Sequence, residues 1–173
     1  RYRLELSPRL GSLDYNNVLA DFRKYVMPFQ PVTFAGRVLH FGRYGSDAED
    51  PRLNELYLGY GSLIRGYNDG SFGFEECGED FDETGDCPVF DQLFGSRLAL
   101  ANVEMRVPIL GYFGVIESPG FPPFELALFF DAGTAWTQDL DSELFGGERK
   151  VVTSHGIAAR LNLLGLFVVE LDY

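Results

Sequence analysis

The sequence predicts an all-β protein built from amphipathic antiparallel strands. Three observations carry that prediction. Apolar and polar side chains alternate with a period of two almost everywhere, no convincing 3.6-residue stripe occurs, and the alternating segments run to about ten residues each.

In the first segment Tyr2, Leu4, Leu6 and Leu10 share one face, and Arg1, Arg3, Glu5, Ser7 and Arg9 share the other. From Asn17 to Val26, the set Val18, Ala20, Phe22 and Val26 opposes Asn17, Asp21, Arg23 and Tyr25, with Lys24 interrupting the apolar face. Proline cannot donate to a ladder, so Pro28 and Pro31 are expected to end this strand and begin the next, with a tight turn at Met27 to Gln30. Val32 to Arg43 follows, with Val32, Phe34 and Val38 opposite Arg37 and Arg43. The stretch from Tyr44 to Gly95, about fifty residues, is too long for an ordinary connection inside a compact domain. Alternation resumes at Ser96. Ala99, Ala101, Val103, Met105 and Val107 oppose Asn102, Glu104 and Arg106, and Leu126, Leu128, Phe130 and Ala132 oppose Glu125, Ala127, Phe129 and Asp131. His155, Ile157, Ala159, Leu161 and Leu163 then oppose Ser154, Gly156, Ala158, Arg160 and Asn162. After a tight turn around Gly165, Phe167, Val169, Leu171 and Tyr173 oppose Val168, Glu170 and Asp172, which makes seven strands in all.

Composition narrows the setting. A chain of 173 residues with net charge -12 is one domain at most and repels phosphate backbones, so nucleic acid is not an expected partner. Aromatic residues at 15% exclude a disordered chain. The uncharged run Leu161 to Val169 is far short of the roughly 18 apolar residues of a spanning helix. Cys77 and Cys87 lie in a Gly-rich acidic stretch that suits one disulfide in an oxidising compartment, with two unpaired thiols as the alternative. The chain begins at Arg1 without an initiator Met or signal stretch and stops at Tyr173 within an alternating pattern, so it reads as a fragment.

Two architectures fit such strands. A soluble sandwich or small barrel turns its apolar face inward, whereas a transmembrane barrel turns it to lipid and keeps a polar lumen. Strands of about 9 to 11 residues, and connections that alternate between short and longer, favour the transmembrane barrel.

Four groups of residues resemble a known family. These are Ile64-Arg65-Gly66-Tyr67 in the long loop, Ala101 to Pro108 on the next strand, Phe129-Phe130-Asp131-Ala132-Gly133 on the one after, and Arg160-Leu161-Asn162 with Glu170 to Tyr173 at the end. Together they resemble the C-terminal barrel half of the bacterial surface antigen family, the superfamily of the BAM barrel subunit and the two-partner secretion transporters. The resemblance covers essentially the whole chain. It implies an antiparallel transmembrane β-barrel of the Gram-negative outer membrane, here an incomplete half-barrel of about seven strands with one long inserted loop. It also implies that the N-terminal part of the barrel and the last strand lie outside this chain.

The resemblance further implies that loop 44–95 faces the cell exterior and folds back into the lumen, where Arg65 meets an acidic wall residue, foremost Asp131. Parity agrees, since Asp131 lies on the polar face and a guanidinium suits a bidentate carboxylate contact. Gly66 is expected to let the loop backbone approach the wall, Gly133 to leave room beside the carboxylate, and Tyr67 completes the motif. The alternative is a solvated Arg65, with Asp131 paired to Arg160. Weaker constellations are Asp80, Asp82, Thr84, Gly85, Asp86 and Asp91, on calcium-loop spacing but read as a solvated acidic loop, and Ser154, His155 and His40. Parity separates Ser154 from His155, which argues against nucleophilic catalysis, and His40 reads as a rim residue facing headgroups. No metal, cofactor or catalytic site is expected. The implied function is insertion, assembly or translocation of polypeptides across the outer membrane, with lipids, client polypeptides and periplasmic partner domains or lipoproteins as partners. The alternatives are a passive channel or surface structural protein of the same fold, and a soluble ligand-binding barrel. Seven strands would leave two open edges, the first strand at one and the last at the other.

Overall fold

The computed structural model describes residues 1–68, 70–71, 77, 87–109, 124–163 and 167–173. Among them, the strands in chain order are β1 (Tyr2–Arg9), β2 (Tyr15–Phe29), β3 (Val32–Tyr44), β4 (Leu56–Tyr57), β5 (Phe94–Gly95), β6 (Arg97–Pro108), β7 (Phe124–Trp136), β8 (Val152–Leu163) and β9 (Phe167–Asp172). Seven of these form one antiparallel sheet in the order β1-β2-β3-β6-β7-β8-β9, and β4 pairs with β5 inside the long loop. The fold is all-β. The sheet does not close: β1 and β9 occupy its two edges and do not pair with each other, as in half of a barrel wall. No helix among the described residues is long and apolar enough to cross a membrane.

The period-two pattern sets both faces. On the outward face Leu4, Leu6, Phe22, Val38, Val103, Leu128, Phe130, Ile157 and Leu171 are all exposed, a contiguous apolar surface of the kind a bilayer covers. On the inward face Leu39, Leu100, Asp131 and Ala158 are buried. A one-residue slip would exchange the two sets, so the burial contrast fixes the register. Asn102 stands opposite Asp131 across β6 and β7, and Arg160 opposite Glu170 across β8 and β9.

Two expectations need correction. Strand β2 runs past Pro28 to Phe29, and a bulge between Val26 and Phe29 absorbs the proline that cannot join the ladder, so the turn falls at Gln30 and Pro31. Pro108, which ends β6, and Phe124, which begins β7, stand by the antiparallel order at the same end of the sheet as the Gln30 and Pro31 turn, and the residues 109–123 between them are too many for a tight turn, so short and long connections do not sort cleanly by end. The turn expected around Gly165 lies outside the described residues.

The lumen, expected to be polar, is polar only along half its length. Toward the long-loop end, Leu39, Leu98, Leu100, Ala135 and Val152 of the wall pack with Leu58, Ile64 and Leu93 of the loop into one buried cluster. Period-two reading missed this because near the long loop these strands carry apolar residues on the inner face as well. Fully burying Leu58, Ile64 and Leu93 contributes roughly 1.5 to 3 kcal/mol each.

Candidate functional site

Leu58, Ile64, Arg65 and Leu93 of the loop between β3 and β6 lie against the inner face of the sheet. A tight turn starts the site: Leu63 N and Ile64 N both donate to Tyr60 O, at 2.7 and 3.0 Å, which sets Ile64 and Arg65 against the wall. Ile64 drops into the space above Gly133, where a Cβ would stand 2.5 Å from Ile64 Cδ1 and 3.0 Å from Ala99 O. Gly133 thus makes room for Ile64 rather than for the carboxylate. Gly66 has φ +83, and a Cβ there would meet only Ser154 Oγ at 3.5 Å, so it is required for its left-handed backbone and not for a close approach. Tyr67 Oη donates to Thr153 O at 2.8 Å, and Tyr57 Oη donates to Tyr67 O at 2.6 Å.

Arg65 is the centre of the arrangement. Its Nε donates to Asp131 Oδ2 and its Nη2 to Asp131 Oδ1, both at 2.7 Å, a bidentate contact reinforced by its backbone N at 3.3 Å. Its Nη1 donates to Glu104 Oε1 at 2.7 Å, and its guanidinium lies 3.7 Å from the centroid of the Phe129 ring. Asp131 is completely buried. Such a carboxylate is tolerable only with its lone pairs occupied, and Asn102 Nδ2 supplies a further donor at 2.9 Å while also donating to Leu63 O at 2.8 Å.

The structure adds residues that the motif alone did not mark. Glu104 accepts from Arg65, Arg106 and Arg160, and Arg160 also donates to Glu170 at 2.6 Å. Three arginines, Arg65, Arg106 and Arg160, therefore meet three carboxylates, Asp131, Glu104 and Glu170. Arg160 goes to Glu104 and Glu170, not to Asp131, which corrects the alternative pairing. Parity had placed all of these wall residues on one face; what it lacked was the height of each along its strand. Farther along, Asp21 accepts from Arg23 and Arg37, and Arg37 Nη1 donates to Ser62 O at 2.9 Å, so a second arginine grips the loop backbone.

Geometry of this kind is a brace between loop and wall. The chain matches the family model described as the Omp85 superfamily domain over residues 1–173. The chain belongs to the Omp85 superfamily. Superfamily members are outer-membrane proteins, transporters and assembly factors rather than enzymes. No curated protein matches the chain.

In this Omp85 domain the remaining candidates fall as follows. Ser154 lies beneath Gly66 on the inner face, while His155 pairs with Phe130 on the outward side, so the two do not form a catalytic pair. His40 is not a free rim residue: Nδ1 bonds Leu98 O at 3.0 Å, Nε2 bonds Tyr44 Oη at 2.8 Å, and the ring stacks on Trp136. Of the calcium-loop candidates, Asp80, Asp82, Thr84, Gly85 and Asp86 lie outside the described residues, and Asp91 ends a single helical turn, where its carbonyl accepts from Arg149 at 2.8 Å. Among the described residues no cluster of three or more His, Cys, Asp or Glu is placed to hold a metal. Cys77 and Cys87 form a disulfide with an S–S distance of 2.10 Å. Alkylation of the unreduced, denatured protein should therefore leave both unmodified, and a mass gain at either by peptide mapping would contradict the bond.

Proposed function

We propose that this Omp85 domain serves insertion or translocation of polypeptides across the bacterial outer membrane, and that the Arg65 brace holds loop 44–95 inside the lumen. The observation that carries the reading is the buried bidentate Arg65 to Asp131 contact, extended through Glu104 to Arg106 and Arg160. A barrel kept as an open pore gains nothing from an apolar plug packed against its wall, whereas a barrel that must flex while staying sealed does. The plug residues Leu58, Ile64 and Leu93 therefore argue against a passive channel. Partners on this reading are outer-membrane lipids, client polypeptides, and periplasmic domains or lipoproteins that deliver them. In the family the client is taken up at an opened seam between first and last barrel strands, by strand addition.

The test is depletion of the full-length protein in its own host, followed by measurement of outer-membrane barrel proteins and secreted polypeptides. Loss of a defined client set supports the reading. Unchanged client levels together with lost ion conductance would favour the channel instead. The orientation of the loop belongs to the same proposal: an epitope tag at Asp82 of the full-length protein is expected to label on intact cells. Labelling only after lysis would reverse the assignment.

A further inference from the structure

The outward face of the sheet carries almost no charge. Among the described residues of the seven sheet strands, outward positions hold no carboxylate, and their only permanent cations are Lys24 and Arg97. In a chain of net charge -12 that is a marked segregation. Arg97 opens β6, next to Tyr44, which closes β3, and opposite Trp136, which closes β7. All three stand where the sheet ends beneath the long loop, at the border of the apolar surface.

Arg97 is positioned there. Its guanidinium lies over the Tyr44 ring at 4.6 Å, and Tyr44 is in turn held by His40 Nε2 at 2.8 Å. The carbonyl of Leu98 can only accept, so Nδ1 of His40 carries a proton, and the ring stacks on Trp136. Gly42 makes this packing possible: a Cβ would stand 2.9 Å from Tyr44 Cε2 and 3.1 Å from Arg97 Cγ. Among the described residues the Arg97 side chain donates one hydrogen bond, from Nε to Arg43 O, and it is long, 3.4 Å, which leaves the Nη groups uncommitted there. A guanidinium with both Nη groups free, flanked by aromatic rings at the edge of an apolar band, matches a lipid phosphate in chemistry and in place.

We propose that Arg97, with Tyr44, His40 and Trp136, forms a binding site for the phosphate of a membrane lipid bordering the long-loop end of the barrel. The proposal rests on the membrane reading of the outward face. It does not involve the Arg65 brace, which lies on the opposite face of the sheet.

The test uses the full-length protein purified in dodecyl maltoside micelles doped with dioleoyl phosphatidic acid, or with dioleoylglycerol, which has the same chains and no phosphate. Native mass spectrometry counts the retained lipid. Wild type should retain phosphatidic acid, and Arg97→Gln about tenfold less, as expected for losing a charge-assisted contact. Gly42→Ala should fall between them, dioleoylglycerol should not distinguish the three, and millimolar inorganic phosphate should not displace the lipid. Equal retention of phosphatidic acid by wild type and Arg97→Gln would overturn the proposal, and complete displacement by inorganic phosphate would overturn the lipid as its source. Insertion into phosphatidylcholine liposomes checks the membrane reading separately. Failure of wild type to insert would remove that reading, and the proposal with it, whereas insertion without lipid discrimination removes the proposal alone.

Discussion

Arg65→Ala in the full-length protein is expected to reduce client assembly or secretion severely while leaving the barrel embedded in the membrane. The substitution removes the bidentate partner of Asp131, whose side chain has no exposure, and leaves that carboxylate with Asn102 and the backbone N–H of residue 65 as its donors. Stranding a buried charge costs about 3 to 5 kcal/mol. The figure here belongs at the lower end, because Asn102 keeps one hydrogen bond to the carboxylate. The loss falls on the seating of the loop and not on the outward face, so membrane insertion should survive. Asp131→Ala should be milder, since Arg65 keeps Glu104 at 2.7 Å and the Phe129 ring at 3.7 Å, and the orphaned group is a cation with a second partner. The double variant should be less than additive, because both changes remove the same contact. Protease susceptibility of the loop and client levels in complemented cells provide the readouts. Wild-type client levels with Arg65→Ala would show that the brace is not functional.

The order of these effects was not legible in the sequence, although the pair was. Residue identity and parity placed Asp131 on the inner face, and the family resemblance pointed Arg65 at it. Parity also put Glu104, Arg106, Arg160 and Glu170 on that face. Which cation meets which anion depends on the stagger between strands, and that emerges only when Asn102 is aligned with Asp131 and Arg160 with Glu170. The apolar half of the lumen was hidden for a different reason. Leu98 and Leu100 occupy inward positions beside outward Ala99 and Ala101, so alternation in size is visible there but alternation in polarity is not. The long loop carries no repeating pattern at all, because its side chains are placed by the wall they meet. Its two short strands pair only over Leu56 with Gly95 and Tyr57 with Phe94, too little to leave a periodic signal.

Gly133→Ala is expected to loosen the loop starting from an apolar contact, with every charged group left in place. The new Cβ would stand 2.5 Å from Ile64 Cδ1, 3.0 Å from Ala99 O and 3.0 Å from Leu100 Cβ. The backbone of Ala99 is fixed in the ladder, opposite Thr134 and His40, so the yielding group must be Ile64 at the end of its side chain. Overpacking of this kind costs about 1 to 3 kcal/mol. Moving Ile64 also moves its neighbour Arg65, so the ionic brace should weaken even though all its members remain. Ile64→Val removes the Cδ1 that clashes and, as a single change, costs about 0.5 to 1.5 kcal/mol. The two substitutions are therefore predicted to be better together than their sum: Ile64→Val should restore to Gly133→Ala much of the lost loop protection and client assembly. Loop proteolysis of the four proteins in the same membranes measures the coupling. If the double variant were as exposed as the sum of the singles, the space above Gly133 would not be what seats the loop, and the brace would have to rest on Arg65 and Arg37 alone.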